Sequence, residues 1–154
     1  MRNKSSFIYG LILLAGMLVF VMLFFPALAH ADSDSVFKGY ELAFGTTFID
    51  LGSFASGQIE PNMLIGLAYL LPLVAGLLAV VIRKMAFLSG LLFVGATVLL
   101  FLIPEMTIAT VTVLGNTTEI DVSWVMSFGL YLAAAFAIMG AFLCIYQGAT
   151  SSRK

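Results

Sequence analysis

Charge is scarce in this chain. Only 10% of its 154 residues are Asp, Glu, Lys or Arg, against roughly a quarter in soluble proteins. With 62% hydrophobic residues, a soluble domain is excluded and a bilayer is the fitting solvent. One cysteine, Cys144, excludes an intrachain disulfide. With a single histidine, His30, beside that one cysteine, a zinc site of the ordinary type has no ligands. His30 reads as an interfacial residue rather than a ligand. Gly-rich phosphate loops and serine elbows are absent, and no polybasic run invites nucleic acid. The carboxylates of "DSDS" (32–35) begin like a calcium loop, but the rest of that motif is missing. No enzymatic activity, cofactor or metal is expected.

What is abundant is hydrocarbon, in four runs near the ~20 residues that span a bilayer. They are residues 7–29, 63–82, 85–103 and 123–147, and none contains a charge. Pro61 suits the start of the second run and Pro104 the end of the third. Pro72 should kink the second. Arg2, Lys4, Arg83, Lys84, Arg153 and Lys154 fall between the runs on one side, and all eight acids with Lys38 on the other. The sides carry +6 and −7, totalling −1. The positive-inside rule then places both termini in the cytoplasm. The expected protein is a multi-pass plasma-membrane protein with one domain, 1–154. Trp124 and Tyr146 would mark the two interfaces of the last run. Residues 1–31 also read as a secretory signal, with "ALAHA" before Asp32. The apolar core is long for a signal peptide, which favours retention.

Polar information is concentrated in two outer segments, 30–62 and 104–122. In the second, "TIATVTVL" and "TTEIDV" flank Gly115-Asn116, which predicts a hairpin turning at that dipeptide. Val113 would then face Thr118, and Val111 would face Ile120. A lone hairpin is marginal, and "YELAFGTTFI" (40–49) alternates well enough to add a strand. Gly39 and Gly45 count against the competing helix. The fold expected is an all-α membrane protein: a four-transmembrane-helix bundle with a small extracellular β-sheet formed by the two outer loops.

Tyr40, Phe44 and Phe48 in the first outer segment are candidate partner contacts; the alternative is that they and Phe54 cap the bundle. Gly129, Ala133, Ala137 and Ala141 recur every fourth residue and make a small-xxx-small stripe. That stripe serves either packing within the chain or an interface with another subunit. Pro72/Gly76 and Ala86/Gly90 are shorter examples. Tyr69, Ser89, Thr97, Ser127 and Tyr131 are the polar residues inside the runs and read as helix contacts. Cys144 reads as a buried thiol or a palmitoylation site. Asn116-Thr117-Thr118 matches a glycosylation acceptor.

The layout of four spans, inner termini, a longer first outer loop and a shorter second resembles the claudin and tetraspan plan, whose outer loops form a small sheet. The claudin first-loop signature of Trp, Gly-Leu-Trp and two Cys is absent, since residues 30–62 hold neither Trp nor Cys. Claudin pore and junction roles therefore transfer to no residue. "FKGYELAFG" (37–45) is also similar to the first outer loop of small four-span proteins of unknown function from Gram-positive bacteria and mollicutes. These observations point to a non-enzymatic protein that associates with other membrane subunits or with itself. The alternative is a small transporter or pore-forming subunit, its acidic outer face drawing cations.

Overall fold

The computed structural model describes residues 2–31, 34–52 and 54–151. Among the described residues three helices are long and apolar enough to cross a membrane: α3 (Met63–Val81), α4 (Ala86–Met106) and α5 (Phe128–Ser151, qualifying to Thr150). A fourth helix, α1 (Arg2–Met22), has a shorter apolar part, Ser6–Met22. α1 packs against α3 and α5, and α4 packs against the same two, so each long helix has two main neighbours. A 3-10 turn, Arg83–Met85, joins α3 to α4. The strands and one short helix, Gly39–Phe44, sit at the opposite end of the long helices.

The first apolar run is not one helix to residue 29. α1 stops at Met22 and closes in a tight turn, with Leu23, Phe24 and Phe25 donating to Phe20, Val21 and Met22 carbonyls at 3.1 Å. Pro26 then enforces extended backbone at Phe25 and opens strand β1 (Pro26–His30). Pro26 is tolerated because it is the strand's first residue. β1 is central to a three-stranded antiparallel sheet, between β2 (Val36–Lys38) and β7 (Trp124–Met126). β7 corrects the fourth run similarly, since α5 begins only at Phe128. Trp124 therefore sits on a strand opposite His30, not on a helix. α4 runs through Pro104 to Met106, three residues past the predicted end.

The segment 40–49 is half strand. Gly39–Phe44 forms a short helix, α2, and only Thr46–Asp50 is a strand, β3. The glycines that argued against a helix lie at its ends, so the interior penalty does not arise. Gly45 closes α2 at φ 81°, and any side chain there would meet the Ile59 carbonyl. Glu41 accepts from the Lys38 backbone N–H at 2.8 Å. The Gly39 and Tyr40 N–H groups donate to the carbonyls of Phe25 and Leu23, which ties α2 to the end of α1.

A second antiparallel sheet has the order β3, β4 (Ala55–Ile59), β5 (Ala109–Val113), β6 (Asn116–Ile120). The predicted hairpin exists, with its turn one residue earlier. Val113 pairs with Asn116 and Val111 with Thr118, so Leu114 and Gly115 form the loop. Register moves by two, which leaves each side chain on its predicted face. The hairpin's neighbour is β4, which "ASGQI" did not advertise; β3 follows as the outer strand.

The start of α3 and the end of α4 are tied together at Asn62. Its Oδ1 accepts from the Leu64 N–H at the start of α3, and its Nδ2 donates to the Met106 carbonyl at the end of α4, both at 3.0 Å. Asn62→Ala removes a cap and a long-range bond, together about 1–2 kcal/mol. Thermal melts in detergent should show a drop of several degrees, and Asn62→Asp, which keeps the cap acceptor, should recover part of it.

Candidate functional site

The hairpin turns of the four-stranded sheet lie side by side. Leu114 N–H donates to the Phe54 carbonyl at 3.1 Å, and Leu51 N–H to the Ala55 carbonyl at 2.8 Å. Asp50 Oδ1 accepts from the Gly52 N–H at 2.9 Å, an Asx turn. This framework leaves Leu51 65%, Phe54 71% and Leu114 74% exposed. At about 3.3 Å per strand residue, the five-residue strands hold this apolar tip ~16 Å from the helix ends. Leu114 has φ 50° and Gly115 φ 85°, as a two-residue turn with positive φ at both positions requires. For leucine that conformation costs roughly 1–2 kcal/mol. β6 forms one edge of the sheet, and all five of its residues are exposed.

Between the two sheets lies a cleft of about 270 Å³, lined by His30, Phe37, Phe48, Ile120 and Trp124 among others. Phe48 is the extra residue of a bulge between the Thr47–Gln58 and Ile49–Gly57 pairs. Its ring lies over Gly57, where a Cβ would come within 2.8 Å of it. Phe37 makes T-shaped contacts with both Phe48 (6.2 Å, 76°) and Trp124 (5.7 Å, 85°), and His30 meets Trp124 at 6.2 Å and 84°. The indole N–H donates to the Thr107 carbonyl at 3.2 Å, which fixes the Trp124 ring. Ile120, Val122 and Trp124 also line an open groove of about 460 Å³ with Glu105, Glu119 and Asp121. Among the described residues no group of three or more His, Cys, Asp or Glu could hold a metal ion. Asp32 and Ser33 lie outside them.

The sequence candidates are scattered. Phe44 is 68% exposed and borders an apolar groove of about 360 Å³ with Tyr40, Phe20, Phe24 and Leu70. The Lys38 ammonium lies 5.8 Å from the centre of the Tyr40 ring. Phe48 belongs to the aromatic cleft instead. The four-residue stripe faces inward: Ala133 and Ala137 are fully buried and Ala141 nearly so. A side chain at Gly129 would overlap the Pro26 carbonyl. A partner could reach that stripe only by parting the helices. Cys144 is fully buried. Thr97 bonds back to the Phe93 carbonyl at 2.9 Å, while the Tyr69 and Ser89 hydroxyls are buried without a hydrogen-bond partner. Phe54 carries an aromatic signal in the sequence, whereas Leu51 and Leu114 do not stand out, because isolated hydrophobes beside glycine look like strand ends. The cue for Leu114 was a leucine, rather than Asn or Asp, directly before Gly115. Compared with protein-family models, curated proteins and solved structures, the chain matches none.

Proposed function

We propose that the chain is a four-span protein of the plasma membrane, with both termini cytoplasmic, that acts without catalysis by associating through its outer sheet. Its partners would be other membrane subunits or further copies of itself. The span count is supported by the outward surfaces of the helices. Leu14, Met17 and Val21 on α1 are as exposed and apolar as Leu67, Leu70, Val74 and Leu77 on α3, a surface suited to lipid and not to water. The 17 apolar residues of α1 reach roughly 25 Å, which snorkelling or local thinning can reconcile with a ~30 Å core. The orientation rests on the basic residues, of which Arg2, Lys4, Arg83 and Lys84 lie at the helix ends away from the sheets.

The association reading is carried by the apolar tip. Burial in the chain gains nothing from Leu51, Phe54 or Leu114, and Leu114 strains its own backbone. Association would use all three. The test exploits that conflict. Leu114→Asn supplies the residue that the turn prefers and removes the hydrophobe. It should raise the stability of the isolated chain by up to ~1 kcal/mol. Combined with Phe54→Ser, it should weaken association about tenfold or more, read as the mass of the complex extracted gently from the native membrane. A wild-type chain that extracts alone, or a double variant that assembles as well as wild type, rules the reading out.

A further inference from the structure

We infer that the cleft between the two sheets binds a quaternary ammonium group, a role separate from association at the tip. The walls come first. Phe48, Phe37, Trp124 and His30 make successive T-shaped contacts, so the planes of neighbouring rings meet near right angles, and all four line a space of about 270 Å³. Aromatic faces are electronegative, and rings set at angles around one cavity attract a cation placed within it. The volume lies just below the ordinary range for small-molecule sites. It suits one compact head rather than an extended ligand.

Charge decides the sign of the occupant. The cleft shares the wall of Ile120, Val122 and Trp124 with the groove that carries Glu105, Glu119 and Asp121. Glu105 sits in the last turn of α4, where the helix terminus adds about half a negative charge. Lys38, the one lysine or arginine described at this end of the molecule, is held over Tyr40, which lines a different groove. The field at the cleft is therefore negative.

Hydration decides the kind of cation. Apart from His30 and Ser35 the lining is Phe, Ile, Val and Trp. A primary ammonium or a lysine side chain is strongly hydrated and would leave its water for walls that accept few hydrogen bonds. A quaternary ammonium has no N–H to satisfy, and its methyl groups fit an apolar lining. The head could belong to a soluble molecule or to a choline lipid; the chemistry recognised is the same.

Trp124 is the chain's single tryptophan and stands in the wall of this cleft, so its fluorescence responds to occupancy there, and Phe48, which lines the cleft and not the neighbouring groove, distinguishes the two. The protein would be purified in maltoside and titrated with choline, with the neutral isostere 3,3-dimethylbutan-1-ol, and with ethanolamine. A saturable change with choline is expected, with both comparison compounds at least about tenfold weaker: the isostere because it lacks the charge for a desolvated cation–π contact, and ethanolamine because its ammonium must shed strongly bound water. Phe48→Leu should weaken choline about tenfold. Glu119→Gln with Asp121→Asn, both on the exposed surface, should weaken it severalfold and flatten its salt dependence. Nanodiscs of phosphatidylcholine against phosphatidylglycerol identify the source. A difference without free choline assigns the lipid headgroup, and a response to free choline in both assigns a solute. No saturable response in any arm, or an equal response to the neutral isostere or to ethanolamine, overturns the proposal. The ligand and nanodisc comparisons use the wild-type protein, so a variant that fails to fold does not shelter the proposal.

Discussion

Gly16→Leu is expected to leave little folded protein in detergent. Gly16 lies where α1 crosses α3, and a side chain there would overlap the Pro72 carbonyl and crowd the Leu73 Cα. Gly76 returns the contact from α3, since a Cβ on it would lie 3.1 Å from the Leu13 Cα. Overpacking a core ordinarily costs about 1–3 kcal/mol because side chains can shift. Here the obstacle is backbone within a helix, so the two helices must separate and the loss should exceed ~3 kcal/mol. That is a large share of a typical folding free energy of about 5–15 kcal/mol. Gly10 provides the control on the same helix, because a Cβ there meets nothing within 4 Å. Gly10→Leu should be neutral, or stabilising by up to ~1 kcal/mol through helix propensity. Unfolding followed by circular dichroism distinguishes the two, and equal behaviour would show that α1 and α3 do not approach as closely as described.

Ala137→Leu should damage the chain itself, whether or not a partner is present. Ala137 is fully buried on α5, the helix that touches both α1 and α4. Three added carbons have no space to occupy without displacing a helix, so a loss of about 1–3 kcal/mol or more is expected. Ala135, two residues away, is exposed, and Ala135→Leu should change stability by under ~0.5 kcal/mol. The informative measurement pairs a thermal melt of the purified chain with the mass of the extracted complex. If the stripe packs only within the chain, Ala137→Leu lowers the melt. If it instead met another subunit, the melt would hold and the complex would dissociate. The second result would contradict the packing described above.

Some features were legible because they depend on little beyond local composition. About twenty apolar residues without a charge form a helix in lipid whatever their neighbours, so α3 and α4 lie close to where the sequence put them. The β-branched run 109–113 and Gly115 announced a hairpin. Its turn was misplaced by one residue because Gly115-Asn116 is the better local signal. Five consecutive pairs between β4 and β5, from Ala55–Val113 to Ile59–Ala109, fix where β5 ends. That end leaves Leu114 in the loop despite its strain. β1 and β7 were hidden inside apolar runs, because an apolar pair of short strands and the end of a membrane helix have the same composition. Only Pro26 hinted otherwise.

By itself, then, the sequence determined that this is a chain for an apolar solvent, that its charges, Lys38 apart, are sorted by sign into alternate gaps between the apolar runs, and that its polar and β-prone residues outside those runs are gathered in two segments. These follow from single-residue transfer energies and local propensities, which need no partner. Only the tertiary structure decided how the small residues and aromatics are used. The four-residue stripe of α5 is identical in sequence whether it meets its own chain or another. It meets its own because Gly129 lets the Pro26 backbone approach and the helix contacts close around the alanines. Phe37, Phe48 and Trp124 come from three separate strands in two sheets. They enclose one cleft only because β1 pairs with both β2 and β7, while a bulge in β3 accommodates Phe48 as an extra residue. Such long-range pairing is set by the free energy of the whole packed assembly, and no local window of sequence contains it.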